Sequence, residues 1–316
     1  LYVWQNLNLN KMSTNEVIFE VLENTGLNWT VKKSPLVTVE GIEVPDKYGV
    51  IRSDNNKALG IVGNKYEFLQ NKDMAHVIYD AGGELFDKGA KFKHPWNNSE
   101  TLGSFGNIGG GSLKDGRAVF MQIELPDEYI GRSDIKRYIT VTNFHDGSGS
   151  VGFGTGNQVV CCENTFQKAQ LELSKFRHTS SMQQRIDEAV LVINRMLRED
   201  DKQMQVFEEA STKPIQNQNI KEIVQSVFGR NIFDIPDDKL STRRKNQVMA
   251  LSQDIETSIA EQGSTLWALF NGVTRYTNHS TSSKDVDYGL MFGTEAKINE
   301  RAYNTMLRWL NKEELV

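Results

Sequence analysis

The spacing of apolar residues changes near His178, and this change limits the fold more than any other feature of the chain. Before that point apolar and β-branched residues come in short alternating runs broken by Gly, Pro, Asp and Asn, the pattern of half-buried strands between turns. Beyond it they recur three and four residues apart over long stretches, as they do on one face of a helix. SMQQRIDEAVLVINRMLRED places Ile186, Val190, Ile193, Met196 and Leu197 in this way, and NIKEIVQSVFG, STRRKNQVMALSQDIETSIAEQ and AKINERAYNTMLRWLNKE repeat the pattern.

The β-rich part has helices at defined places. Ser13 and Glu16 form a capping-box pattern at the start of a helix running to Asn24, ended by Gly26. Three strands are then expected in WTVKKSPLVTVEG, KYGVIRSD and KALGIVGNKYEFL, followed by a helix in NKDMAHVIYDAGG that stops at Gly82 and Gly83. Lys114-Asp115-Gly116 reads as a turn leading into the strand RAVFMQIEL, with RYITVTNF and NQVVCC as later strands. Asn164 or Thr165 is placed to cap a helix FQKAQLELSKF, because a side-chain oxygen there accepts from an orphan backbone N–H. STKPIQNQN reads as a loop. The expected fold class is therefore α+β: an antiparallel sheet with flanking helices around a β-β-β-α-like core, followed by a mostly helical C-terminal region. The corresponding division is an extension over 1–11 ahead of Met12, an α+β domain over 12–178 and a helical region over 179–316.

Composition narrows the function classes. A 38% hydrophobic fraction with fifteen Phe and nine Tyr is that of a folded globular chain. A formal net charge of -5 and a pI near 5.7 argue against a protein that coats nucleic acid with its whole surface, leaving room for a local basic groove. The two cysteines are adjacent, so no disulfide framework is expected, which fits a reducing cytoplasmic compartment. No apolar run approaches the roughly 20 residues that span a bilayer.

NFHDGSGSVGFGTGNQVVCCENTF, residues 143–166, gathers most of the side chains that carry chemistry. Its glycines do not sit between a strand and a helix and lack GK[ST], so GFGTG, like GGGS at 109–112, reads as turn or mobile loop rather than phosphate cradle. His145, Asp146, Cys161 and Glu163 are the candidates for a hydrolase or a Mg²⁺-dependent nuclease, the one reading that calls for a cofactor. The spacing lacks CxxC, HxxxH and HExxH, so no structural metal is expected, and Asp-Gly-Ser alone is turn chemistry. Basic and aromatic residues are interleaved at Arg132, Lys136, Arg137 and Tyr138, with His145 and Phe153 following and Lys168, Lys175 and Arg177 beyond. A further basic run is Arg243-Arg244-Lys245. Such mixtures suit single-stranded nucleic acid, where cations track phosphates and bases stack on rings.

Four segments in order carry a resemblance: LGIVGNKYEFLQNKD (59–73), GSLKDGRAVF (111–120), NFHDGS (143–148) with QVVCCENT (158–165), and TLWALFNGVTRYTNH (265–279), with Gly293 and Lys297 beyond. By these the chain resembles the phage- and plasmid-like proteins that carry domain of unknown function 932, over most of residues 13–310. Gln158 stands where that group usually has Arg, and Gly272 where it usually has Ala. The resemblance implies a mobile-element setting in a bacterial host cell and no settled activity. In outline the helix, three strands and helix are also similar to single-strand annealing proteins of the Red-beta type. Together these favour a binding protein over an enzyme: an oligomer holding single-stranded DNA during recombination or replication, alongside phage or host proteins of those processes. The alternatives are the hydrolase or nuclease and a host-defence antagonist acting on a partner protein.

Overall fold

The computed structural model describes residues 14–86, 108–131, 133–159, 164–167, 175–178, 189–229, 232–281 and 286–310. Arg132, Cys161, Cys162, Glu163 and Lys168 lie outside these residues.

The first elements are α1 (Thr14–Asn24), β1 (Val31–Val37), β2 (Glu43–Arg52), β3 (Ala58–Gly63) and α2 (Asn71–Phe86). The strands form an antiparallel sheet in the order β1-β2-β3, and α1 packs on α2. Helix α2 runs through Gly82 and Gly83 to Phe86; each glycine weakens a helix by only about 1 kcal/mol, too little to act as the expected stop. Register places Val31, Lys33, Tyr48, Val50, Gly60 and Val62 on one sheet face and Lys32, Gly49, Ile51 and Ile61 on the other.

A second sheet follows, with β4 (Ile108–Leu113), β5 (Ala118–Ile130), β6 (Ser133–Phe144), β7 (Val151–Val159) and β8 (Asn164–Gln167) in that order and β9 (Lys175–Phe176) paired to β7. Lys114, Asp115 and Gly116 all have positive φ, at 47°, 60° and 95°, and form the expected tight turn between β4 and β5. Both glycine runs lie inside strands instead of loops. Gly109, Gly110 and Gly111 pair with Gln122, Met121 and Phe120. A Cβ at Gly110 would stand 2.9 Å from the Phe120 carbonyl oxygen and 3.0 Å from Thr25 Cγ2, so the glycine makes room for the end of α1. Gly152, Gly154 and Gly156 alternate along β7, leaving one face of that strand without side chains from 152 to 156. Asn164 and Thr165 pair with Val159 and Gln158 as part of β8, so they are strand residues and not the expected helix cap.

The helical part holds α3 (Ala189–Thr212), α4 (Asn217–Phe228), α5 (Thr242–Gln262), α6 (Leu266–Arg275), a π-helical turn at Tyr276–Ser280, α7 (Val286–Phe292) and α8 (Thr294–Trp309). Ser241 Oγ accepts from Arg244 N and Thr265 Oγ1 from Ala268 N, capping α5 and α6. Of STKPIQNQN only residues 213–216 are loop between helices. Among the described residues no helix is long and apolar enough to cross a membrane.

The chain divides into two compact units, one of residues 1–126, 138–154 and 170–196, the other of 127–137, 155–169 and 197–316. In the first, Ile18, Leu27, Val50, Leu69, Met74, Phe120, Tyr138 and Phe153 are buried. In the second, Phe207 contacts the rings of Trp267, Phe270 and Tyr303 at 4.5, 5.9 and 6.0 Å within a core that also holds Ile223, Leu269, Val273 and Met306.

Gly272 has a clear packing reason in this second core. A Cβ there would fall 2.6 Å from Ile255 Cα and 2.7 Å from its Cγ1, so α5 and α6 approach more closely than an alanine permits. Gly272→Ala is expected to lower stability by about 1 kcal/mol, overpacking of roughly 1–3 kcal/mol being partly offset by better helix propensity. Urea unfolding followed by circular dichroism checks this, and an unchanged or raised midpoint contradicts it.

Candidate functional site

Three of the sequence segments singled out above meet at the His145–Ser148 turn. Strand β6 ends at Phe144, and His145 N donates to Arg117 O at 2.7 Å, tying the turn to the Lys114–Arg117 corner. Asp146 Oδ1 accepts from Ser148 N at 2.9 Å and from its hydroxyl at 2.6 Å, while Gly147 takes a φ of +78°. The turn lies directly on β3, where a Cβ at Gly60 would be 2.6 Å from Asp146 O. Asn143 Nδ2 donates to Leu69 O at 2.8 Å, and Tyr66 Oη donates to Phe144 O at 2.5 Å.

His145 is buried under this turn, edge-on to Trp29 with ring centroids 5.2 Å apart. Its Nε2 lies 2.9 Å from Asn71 Oδ1. Asn71 Nδ2 donates to Leu27 O at 3.0 Å and Trp29 O at 3.1 Å, which fixes the amide so that its oxygen faces the histidine. His145 therefore carries its proton on Nε2, and the Nδ1 lone pair has no hydrogen-bond partner. Burial, then the nearby His178 and Arg52, push its pKa down to about 3. The ring is a neutral internal strut, closed to solvent.

His178 is arranged similarly. Its Nδ1 donates to Glu67 O at 3.0 Å, its own carbonyl accepts from Glu67 N at 3.1 Å, and its Nε2 has no partner. The ring stacks on Tyr66 at 4.5 Å, and burial holds its pKa below the usual imidazole value. Burial and the charge of Asp146 raise the Tyr66 phenol above its usual range. Arg52 lies 4.1 Å over the Trp29 ring and is held by both Asp54 oxygens at 2.7 Å. Lys57 Nζ reaches Asp115 at 2.8 Å.

The outer edge of this cluster carries basic and aromatic residues together with the exposed Glu67 and with Asp46, which accepts from Asn64 Nδ2 at 2.9 Å. Lys65 and Arg177 are exposed immediately beside Tyr66 and His178, and Lys33 Nζ donates to Asn64 O at 2.6 Å while lying 5.7 Å from the Tyr48 ring centroid. Tyr48, Tyr66 and Phe68 are half-buried, with Tyr66 and Phe68 edge-to-face at 5.5 Å. Of these residues Arg177 and His178 stand out in the sequence as part of a basic run, and Lys65, Tyr66 and Phe68 lie within the 59–73 segment of the resemblance; the fold adds Lys33 and Tyr48.

The remaining sequence candidates fall in different surroundings. Tyr138 and Phe153 are buried in the core of the first unit, which closes their rings to a base. Arg137 is buried in the second unit with its Nε 2.5 Å from Asp200 and its Nη2 2.7 Å from Asp201. Lys136 is half-buried on β6, and Lys175 sits on β9 opposite Gly152. The alternative set His145, Asp146, Cys161 and Glu163 is described only for its first two members, one committed to Asn71 and the other to the turn. Among the described residues no group of three or more His, Cys, Asp or Glu is placed to hold a metal ion.

The sequence model of the family described as "Domain of unknown function (DUF932)" matches residues 103–302. Comparison with curated proteins and with solved structures gives no match.

Proposed function

The chain belongs to the DUF932 family, and on that premise we propose that it binds single-stranded DNA, without cutting it, for a phage, prophage or plasmid. The observation that carries this reading is the edge beside the His145–Ser148 turn, where Lys33 lies over the Tyr48 ring, and the exposed Lys65 and Arg177 are sequence neighbours of Tyr66 and His178, whose rings stack. Cations near partly exposed rings can neutralise phosphates while the rings give bases a surface to stack on. Spending His145 and Asp146 on internal hydrogen bonds supports binding over hydrolysis. The order α1-β1-β2-β3-α2 is similar in outline to annealing proteins of the Red-beta type and directs the proposal to strand annealing in recombination or replication; this part is analogy of architecture.

Fluorescence anisotropy with labelled oligo-dT tests the reading. Three neutralised phosphates give a log–log salt slope of about -2, so affinity is expected to fall roughly 20-fold between about 50 and 200 mM salt. Lys33→Glu, Lys65→Glu and Arg177→Glu combined are expected to abolish binding while the protein stays folded. An absence of binding at low salt ends the proposal, and DNA degraded in the presence of Mg²⁺ or Mn²⁺ would replace it with the nuclease.

A further inference from the structure

Within the second unit a cavity of about 420 Å³ opens where the C-terminal end of α3, the loop after it, the first two turns of α4, the start of α6 and the end of α8 come together. Its walls are tied in place. Leu266 N donates to Lys213 O at 2.9 Å and Ile215 N to Ser264 O at 3.2 Å, which fixes the loop on α6. Arg301 Nε and Nη2 donate to Ser226 O at 2.7 Å and Val227 O at 3.2 Å, which pins α8 to the end of α4. The volume falls within the roughly 300–1,000 Å³ of small-ligand pockets.

The lining has a definite chemistry. Its charged residues are Glu209, Glu222 and the exposed Lys213, so carboxylates outnumber the cation, while Pro214, Leu266 and the half-buried Trp309 supply apolar surface. Glu222 is held by two donors: Trp309 Nε1 donates to Oε2 at 2.7 Å and Gln218 Nε2 to Oε1 at 2.8 Å. These hydrogen bonds, more than the charge of the nearby Arg308, keep its carboxyl below the usual range and ionised at neutral pH. Arg308 itself donates from Nη2 to Thr305 Oγ1 at 3.0 Å.

A carboxylate oxygen accepts about two hydrogen bonds, and each Glu222 oxygen has accepted one from within the protein. An acceptor position therefore remains on each of two adjacent oxygens. Two parallel N–H groups of a guanidinium match that pair, whereas an ammonium is a point charge without the planar fork. An anion would meet a net negative lining, and a wholly apolar ligand would strip water from carboxylates without replacing it.

We propose that this cavity binds a guanidinium group on an aliphatic stem, the guanidinium bonded to both Glu222 oxygens and the stem lying along Trp309 and Leu266, with Glu209 adding negative charge. An arginine side chain of a partner protein and a free alkylguanidine share this chemistry.

Nuclear magnetic resonance on the full, nitrogen-labelled chain tests the proposal without DNA. The protein has five tryptophans, and the indole N–H signal missing from Trp309→Phe identifies Trp309. Agmatine and N-acetyl-arginine amide should each shift that signal saturably, with a Kd of about millimolar or tighter, because they bind the carboxylate that the indole N–H touches. N-acetyl-lysine amide should bind several-fold more weakly. By calorimetry, Glu222→Gln should weaken binding of the arginine probes by about tenfold or more and Glu209→Gln by less, circular dichroism confirming that both variants fold. Should Glu222→Gln fail to fold, Glu209→Gln decides. The tighter of the two probes identifies the source: agmatine a free alkylguanidine, N-acetyl-arginine amide an arginine within a polypeptide. No shift of the Trp309 signal at up to about 20 mM of either probe, equal binding of the lysine derivative, or affinity unchanged by the carboxylate substitutions overturns the proposal. The outcome leaves the DNA reading as it stands, since oligo-dT binding is measured separately.

Discussion

Replacing Arg137 by alanine is expected to destabilise the protein by about 3–5 kcal/mol, the usual loss when one partner of a buried ion pair is removed. Asp200 is fully buried, and Arg137 is only 8% exposed, with its Nε 2.5 Å from Asp200 Oδ2. Alanine leaves that carboxylate inside the second unit without its cation. Asp201, the other carboxylate on Arg137, has 63% of its side chain exposed, so Asp201→Asn should change stability by less than about 1 kcal/mol. Arg137→Lys should fall between, since an ammonium cannot reproduce the guanidinium fork that reaches both acids. Combining Arg137→Met with Asp200→Leu should recover most of the loss, because a matched apolar pair leaves no charge behind. Urea unfolding checks the series. If Arg137→Ala kept the midpoint and weakened DNA binding instead, Arg137 would be a phosphate ligand, as its place in a basic cluster first suggested.

That reassignment marks where sequence reasoning stops. The helices beyond Ala189 and strands β1, β2, β3, β5 and β6 are legible because their apolar spacing is set by local geometry. The glycine-rich strands β4 and β7 are not, since glycine's own preference points to turns. The need for a small residue at Gly110 comes from the Phe120 carbonyl and Thr25, neither of them a sequence neighbour. Asn164 and Thr165 carry cap chemistry, and only pairing with β7 makes them strand. Strand β6 defeats alternation in another way: every residue from Arg137 to His145 is buried, so period two cannot separate an inward ring from an outward one. Tyr138 therefore read as a stacking candidate. The turn at Asp146 and Gly147 was legible because its chemistry is local, whereas the role of His145 depends on Asn71, 74 residues away. The same distance hides Tyr66, whose hydroxyl closes on Phe144.

The histidine gives the second large effect. With a folded pKa of about 3 against an unfolded value near 6.5, His145 binds no proton in the native state through a range where the unfolded chain does. Its contribution to stability is complete above about pH 6.5 and is lost progressively as pH falls towards 3, at about 1.4 kcal/mol per unit. Between pH 7 and 5 the loss from His145 is about 2 kcal/mol, and His178, whose pKa is also depressed by burial, shifts stability in the same direction. Urea midpoints across this range measure it. His145→Gln can still donate towards Asn71 and cannot be protonated, so it should be less stable at pH 7 through lost packing on Trp29 but show a shallower decline with acid. A midpoint that stays flat from pH 7 to 5, or a decline unchanged in His145→Gln, contradicts the assignment of His145 as a neutral strut. Because Phe144, next to His145, fixes Tyr66, and Tyr66 stacks on His178 beside Arg177 in the chain, acid should loosen the edge proposed to hold DNA. Affinity measured at constant ionic strength should then fall below about pH 6 in the native protein and fall less in His145→Gln.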